Sequence, residues 1–289
     1  MFNNKNIIHS WRSGARMTYC ELKQTYLNVA GINLYCEYII NEKPPIVLIH
    51  GFASSTYTFR RVIPFLQKHY SVIAIDLPGF GKSDKSTSFI YSFQNYAKLL
   101  LECMNQFGYS NFSIVAHSMG GQIALNMALL APERVSKLVL LCSSGYLKRA
   151  RKALIYTSYL PLFDKLAYYY VQKKGVRHHL NNVFFDKTLI NDEMIEEFGK
   201  PLSEKGFYKA LIRLLRHREG DLLPNQLQDI HAPTLLIWGE EDRVVPLEIG
   251  KRLVRDLPDA RLITYKKTGH LITEEQPELV FKNIMMHMV

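Results

Sequence analysis

The stretch Ile114-Val115-Ala116-His117-Ser118-Met119-Gly120-Gly121 decides the reading of this chain. The apolar run Phe112 to Ala116 has the length and composition of a short buried strand, and Gln122 to Leu130 carries helical periodicity. A chain that passes from strand to helix within one residue strains that residue's backbone, and only small neighbours leave it room. Ala116, Gly120 and Gly121 meet that demand, so Ser118 is expected on a sharp turn with its hydroxyl raised at a helix N-terminus. A serine capping an ordinary strand-to-helix turn would look the same over so few residues. The rest of the chain must supply the distinction.

A serine hydroxyl is a weak nucleophile and needs a base, an acid to orient the base, and donors for the oxyanion. Asp242 stands in Gly239-Glu240-Glu241-Asp242-Arg243-Val244-Val245-Pro246, just beyond the strongly apolar Thr234 to Trp238, with Glu240 and Glu241 as rival acids. His270 stands in Thr268-Gly269-His270, beyond a second expected strand, Ala260 to Tyr265. In an open parallel sheet all strand ends of one kind share an edge. Ser118, Asp242 and His270 can therefore converge although 124 and 28 residues separate them. Their order along the chain, Ser then Asp then His, is the α/β-hydrolase order.

From about residue 25 to the end, the sequence resembles the α/β-hydrolase superfamily, in particular its single-domain members with a helical cap. The resemblance rests on Ala116-His117-Ser118-Met119-Gly120, on His50-Gly51-Phe52, on Asp76-Leu77-Pro78-Gly79-Phe80-Gly81-Lys82-Ser83, on Asp242 with Val245-Pro246, and on Gly269-His270. Ala116 stands where the family's turn more often carries glycine. Ser118 separates the chain from the epoxide hydrolases and haloalkane dehalogenases of this fold, which place aspartate there. The resemblance implies Ser118 as nucleophile, His270 as base, Asp242 rather than Glu240 or Glu241 as acid, and the main-chain N–H groups of Phe52 and Met119 as the oxyanion hole. It also implies that His50 shapes the oxyanion loop instead of acting as a base. Asp76 is expected to brace the Pro-Gly turn that follows it. His117, Cys142, Val245 and Leu271 are candidates to line the substrate pocket; a buried structural thiol is the other reading of Cys142.

The expected fold class is α/β, a mostly parallel central sheet flanked by helices. A hairpin about Ala30-Gly31 (Thr25 to Val29, Asn33 to Ile39) is followed by strands Ile46 to Ile49 and Ser71 to Ile75, with a helix from Thr58 to Gln67 between them. Phe93 to Phe107 reads as a helix and Val135 to Leu141 as a strand. Residues 148 to 220 then show helical patterns without strand signals. The domain expectation is therefore an extension over 1–20, a core formed by 21–147 and 221–289, and an inserted helical cap over 148–220. A cap roofs the cleft and selects substrate, and its many aromatics are expected mostly to form its own core.

The 289 residues, 47% apolar, suffice for one large domain with an insertion. Cys20, Cys36, Cys103 and Cys142 lack metal-like spacing and read as reduced thiols, so the chain is expected to be cytoplasmic, with neither metal nor cofactor. Gly79-Phe80-Gly81 lacks the third glycine of a dinucleotide fingerprint. Residues 1–20 carry Lys5, Arg12 and Arg16 and no acid, and read as a loosely ordered arm.

The expected activity is hydrolysis of a carboxylic ester of a small, largely apolar substrate. C–C bond hydrolysis of meta-cleavage products, lactone or thioester cleavage, and a receptor that keeps the triad remain alternatives. The chain carries 36 basic and 26 acidic residues. Most of the excess lies in residues 148–220, where 15 basic side chains face 8 acidic ones. Lys148, Arg149, Arg151 and Lys152 at one end, with Arg213, Arg216 and Arg218 at the other, would form a basic rim. Such a rim would suit an acidic partner, either an acyl carrier protein or an anionic membrane surface. Nucleic acid is not expected, because no groove-reading or base-stacking motif accompanies the charge. A monomer or small homo-oligomer is expected.

Overall fold

The computed structural model describes residues 21–288, so the expectations for the arm 1–20 and for Cys20 lie outside it. Eight strands form one sheet: β1 (Lys23–Val29), β2 (Ile32–Ile39), β3 (Pro45–Ile49), β4 (Ser71–Ile75), β5 (Phe112–His117), β6 (Val135–Leu141), β7 (Thr234–Gly239) and β8 (Ala260–Tyr265). Their spatial order is β1-β2-β4-β3-β5-β6-β7-β8. β2 pairs antiparallel with both β1 and β4, and every other pairing is parallel.

The apolar runs explain this arrangement. A strand covered on both faces reads as a continuous hydrophobic run, and all of β4 and β7 is buried. β1, at the sheet's edge, alternates exposed with partly buried residues. The β1–β2 turn falls where expected, with Ala30 and Gly31 both at positive φ. One expected element differs. In place of a helix over Thr58 to Gln67 the chain forms a 3-10 turn, Thr56–Phe59, and a short helix, Ile63–Leu66. Pro64, the second residue of that short helix, has no N–H to donate back to the preceding turn, so the two turns do not merge into one helix.

Between β6 and β7 the chain is helical: Lys152–Thr157, Phe163–Lys174, Val176–Val183, Asp192–Ser203 and Lys205–His217. This insertion leaves and returns at one point. The Asp221 N–H donates to the Leu147 carbonyl at 2.8 Å, and the Leu147 N–H donates to the Asp221 carboxylate at 3.0 Å. Its buried apolar cluster is small, Leu180, Phe184, Ile190 and Met194, and is completed by Leu271 from beyond β8. The expectation that its aromatics mostly form its own core is corrected. Tyr156, Tyr159, Tyr168 and Tyr169 are 70%, 62%, 48% and 65% exposed, because the two helices and the turn that carry them are covered on one side only.

Candidate active site

Ser118 joins the end of β5 to the helix Met119–Leu130 with φ +52° and ψ −121°, a combination that costs a non-glycine residue energy. Main-chain bonds hold it there. Its N–H donates to Leu141 on β6 at 2.9 Å, and its carbonyl accepts from Gly121 at 2.9 Å and from Ser144 at 3.0 Å. The helix must also press against β3 for the turn to be this tight. A Cβ on Gly120 would stand 2.5 Å from the carbonyl oxygens of Ile49 and His50, which only glycine avoids.

The acid and base meet as the order of strand ends predicts. His270 Nδ1 lies 2.7 Å from Asp242 Oδ2, while Oδ1 of Asp242 accepts the N–H groups of Val244 (2.8 Å) and Val245 (2.9 Å). Burial alone would push the Asp242 carboxyl up. The hydrogen bond and charge of His270 and the two N–H donors outweigh it and hold the group below the usual carboxylate range. Glu241 is used elsewhere, accepting the Thr268 N–H at 2.9 Å, and Glu240 accepts the Thr264 hydroxyl at 2.8 Å. With its Nδ1–H directed at Asp242, His270 has Nε2 left to serve as acceptor.

Ser118 and His270 open onto the same cavity, of about 550 Å³. Half of its twenty lining residues come from strand-end loops and half from the insertion. The lining is mostly apolar, with Phe52, Leu180, Phe198, Phe207 and Val244 among it, and Arg243 is its one side chain of permanent charge. Gly51 runs against the serine, since a Cβ there would approach Ser118 Cβ to 2.9 Å. His50 is buried and its pKa is lowered to about 4 by desolvation. Its Nε2 accepts from the Leu77 N–H at 2.9 Å, so its Nδ1 donates to the Gly51 carbonyl at 2.7 Å. That peptide carries the Phe52 N–H on its opposite side, so His50 sets the direction of a donor without touching substrate. Asp76 braces the next turn as expected, accepting the N–H groups of Thr56 and Lys82, each at 2.7 Å.

Two of the four pocket candidates line the cavity, His117 and Leu271. The other two are corrected. Cys142 is fully buried, with its thiol, the Asp242 carboxylate and the His270 ring nitrogen within 4.8 Å of one another, so it sits behind the acid–base pair. Burial, and next the charge of Asp242, push that thiol well above its ordinary pKa. Val245 is buried in the core, and Val244 takes its place in the lining. The described cysteines Cys36, Cys103 and Cys142 are all free and buried.

Sequence reasoning missed the supports of His270. The His270 N–H donates to the Val183 carbonyl of the insertion at 2.7 Å, and the His270 carbonyl lies 2.9 Å from His117 Nε2. Glu275 clamps the same loop, one oxygen accepting the Gly269 N–H at 2.7 Å and the other the N–H groups of Phe185 and Asp186, each at 3.0 Å. An acid in the first turn of a helix looks ordinary in sequence. Only the folded chain reveals that it ties insertion to active-site loop.

Known proteins of similar sequence and structure share this fold. The chain is 49% identical over 257 residues to the uncharacterized hydrolase YugF of Bacillus subtilis (strain 168), covering 89% of this chain and 94% of that protein. It is 32% identical over 246 residues to a 2-hydroxy-6-oxononadienedioate/2-hydroxy-6-oxononatrienedioate hydrolase of Comamonas testosteroni, covering 79% of this chain and 82% of that one. The meta-cleavage product hydrolase CumD of Pseudomonas fluorescens IP01 superposes with a TM-score of 0.76 at 25% identity, covering 91% of this chain and 97% of that one. Residues 44–277 match the model of the alpha/beta hydrolase fold family, and with the sheet order, the strained serine and the acid–base pair on one sheet edge, the chain belongs to that family.

Proposed function

We propose that the chain is a serine hydrolase of carboxylic esters with a largely apolar acyl part. His270 Nε2 takes the Ser118 proton as the serine oxygen attacks the ester carbonyl, and Asp242 holds the imidazole in the required tautomer and stabilises its charged form. The N–H groups of Phe52 and Met119 receive the oxyanion. His270 then passes the proton to the leaving alcohol and activates a water that releases the acid and restores Ser118. The observation that carries this reading is the meeting of a strained serine and an aspartate-paired histidine in one apolar cavity. The insertion acts as a cap, supplying the acyl wall through Leu180, Phe198 and Phe207.

A fluorophosphonate probe should label the protein at Ser118, and a series of p-nitrophenyl esters should show a rising then falling preference with acyl length. Labelling that persists in Ser118→Ala refutes the assignment. Labelling without turnover of any ester would point to a receptor that keeps the triad.

A second reading, C–C hydrolysis of a meta-cleavage product, draws on the relatives named above and on Arg243, whose charge could pair with a substrate carboxylate. Adding 2-hydroxy-6-oxo-dienoates to the ester panel decides between them. Faster turnover of the dienoates, lost in Arg243→Leu, would favour this second chemistry.

The basic rim is less free than its sequence suggests. Arg213 donates to the Phe89 carbonyl, Arg216 to the Ser158 hydroxyl, and Arg218 to Asp221 and to the Lys148 carbonyl. Arg149 likewise donates to the Arg216 carbonyl at 3.2 Å, so an acidic partner would be met chiefly by the exposed Lys148, Arg151 and Lys152 at the start of the insertion.

A further inference from the structure

The charge of the insertion is concentrated in its first half. Residues 148–180 carry eight basic side chains and one acidic one, Asp164, whereas residues 181–220 carry seven of each. The same half presents apolar side chains to solvent. On the helix Phe163–Lys174, Val171 lines the cavity and Tyr168 packs edge-on against Tyr208 at 5.1 Å, so one face looks inward. Leu162, Leu166, Tyr169 and Lys173 follow one another at helical spacing and are exposed, the first three by 63%, 63% and 65%. The outward stripe of a surface helix is normally polar. This one is aliphatic and aromatic with lysines beside it.

The turn joining this helix to Lys152–Thr157 continues the pattern. Tyr159 and Leu160 are each 62% exposed, yet the turn is anchored. The Arg216 guanidinium lies 3.8 Å over the Tyr159 ring and donates to the hydroxyl and carbonyl of Ser158. Beneath the turn is a separate cleft of about 320 Å³, with Leu160, Leu162 and Phe163 on one side and Lys209, Arg213 and Arg216 on the other. Asp164 is the single acid in its lining. Nε of Arg213 is buried with no hydrogen-bond partner.

We propose that this face docks onto an anionic lipid bilayer. Leu160, Leu162, Leu166 and Tyr169 enter the headgroup boundary, and Lys148, Arg151, Lys152, Lys165 and Lys173 meet the lipid charge. Amphipathic surfaces of aromatic and aliphatic residues flanked by lysine and arginine bind such interfaces through apolar burial and charge together. A second copy of the chain is a poor occupant, because a two-fold contact would set one cationic face against another. Docking would place the outer face of a helix on the bilayer while Val171 on its inner face lines the cavity, so the substrate class would be esters that partition into lipid. That last consequence rests on the proposed ester hydrolysis; the docking does not.

The test is co-sedimentation of the full chain with vesicles of phosphatidylcholine, with and without phosphatidylglycerol, at low and high salt. Binding should require phosphatidylglycerol and weaken with salt. The triple variant Leu162→Ser/Leu166→Ser/Tyr169→Ser should bind about tenfold or more weakly, as should Lys165→Glu/Lys173→Glu, which keeps the apolar stripe. Both should retain the parent's circular dichroism and its turnover of a short soluble ester. No sedimentation with anionic vesicles, equal binding to neutral vesicles, or full binding by the charge variant overturns the proposal, and the charge variant suffices if the triple variant does not fold. Lipid-free dimerisation abolished by the triple variant, or saturable binding of an acyl carrier protein without vesicle binding, also overturns it. Absence of ester turnover by the parent chain with intact sedimentation would refute the proposed reaction and leave the docking standing.

Discussion

The two halves of the cavity wall are built differently. The strand-end wall carries the proposed reacting groups and grows out of strands buried on both faces: all six residues of β7 are buried, and every residue of β5 but Ser113. The insertion wall is held in two ways, Leu180 by a small separate cluster and Phe207 by the edge of the main core, and the helix Lys152–Thr157 buries none of its residues. Deep packing can hold a strained serine, because moving it would disturb two neighbouring strands at once. A thinly packed wall tolerates exchange of its side chains. Reaction type should thus follow the sheet edge, and substrate choice the insertion.

The largest expected effect lies on the sheet side. Ser118→Ala should lower ester turnover by at least about a thousandfold while leaving the melting temperature nearly unchanged, since the hydroxyl contributes chemistry more than packing. Asp242→Asn should cost on the order of 10⁴-fold and Glu241→Gln only a few fold, because Asp242 alone of the two touches His270. Steady-state kinetics of the three variants checks this. The reverse ranking of the two acids would move the orienting role to Glu241.

The next variant tests the boundary between the walls. Glu275→Ala removes the acceptor shared by Gly269, Phe185 and Asp186, so the His270 loop loses a brace. A fall in kcat of roughly 10–100-fold is expected with little change in KM for a short ester, and Glu275→Gln should recover part of it. A change confined to KM would show that the clamp serves binding instead. For the same reason, deleting residues 148–220 would take the Val183 carbonyl from His270, costing turnover as well as selectivity.

A smaller effect is expected within the insertion wall. Phe198→Trp should shorten the cavity and lower kcat/KM for the longest accepted acyl chain by about tenfold per methylene that no longer fits, sparing short esters. Uniform loss across the ester series would place length selection on the sheet side.

The last prediction concerns stability. Burial lowers His50 to about 4; burial and the neighbouring His270 lower His117 to about 3. Both are neutral in the fold, so the unfolded chain binds more protons below about pH 6.5, and the stability they contribute is lost as pH falls from there toward 4. Each should cost about 2 kcal/mol at pH 5 relative to pH 7.5. Burial raises Asp76 and Asp221 to about 6 and Glu274 to about 7, and these groups act in the opposite sense across the same window. The clean measurement is therefore a difference. His117→Gln should flatten the pH dependence of the denaturant midpoint relative to the parent, and an unchanged slope would show that His117 remains charged in the fold.

The strands and the candidate reacting groups were legible because each is a local matter. Apolar runs as short as Thr234 to Trp238 suit the strands of a covered sheet, and strand ends in a parallel sheet share an edge, so Ser118, Asp242 and His270 fall on the same one. Small residues around Ser118 announced the strained turn for the same local reason. What the sequence left open depends on which way a side chain faces and on what lies opposite. Helical periodicity marks a stripe on residues 162–173 but cannot say whether that stripe meets protein or solvent, and the structure turns Leu166 and Tyr169 outward. Cys142 and Val245 were separated from the cavity only by the packing of Asp242 and His270 in front of one and the burial of the other in the core. The brace from Glu275 and Val183 joins segments about ninety residues apart, and only the tertiary fold brings such groups within hydrogen-bonding reach.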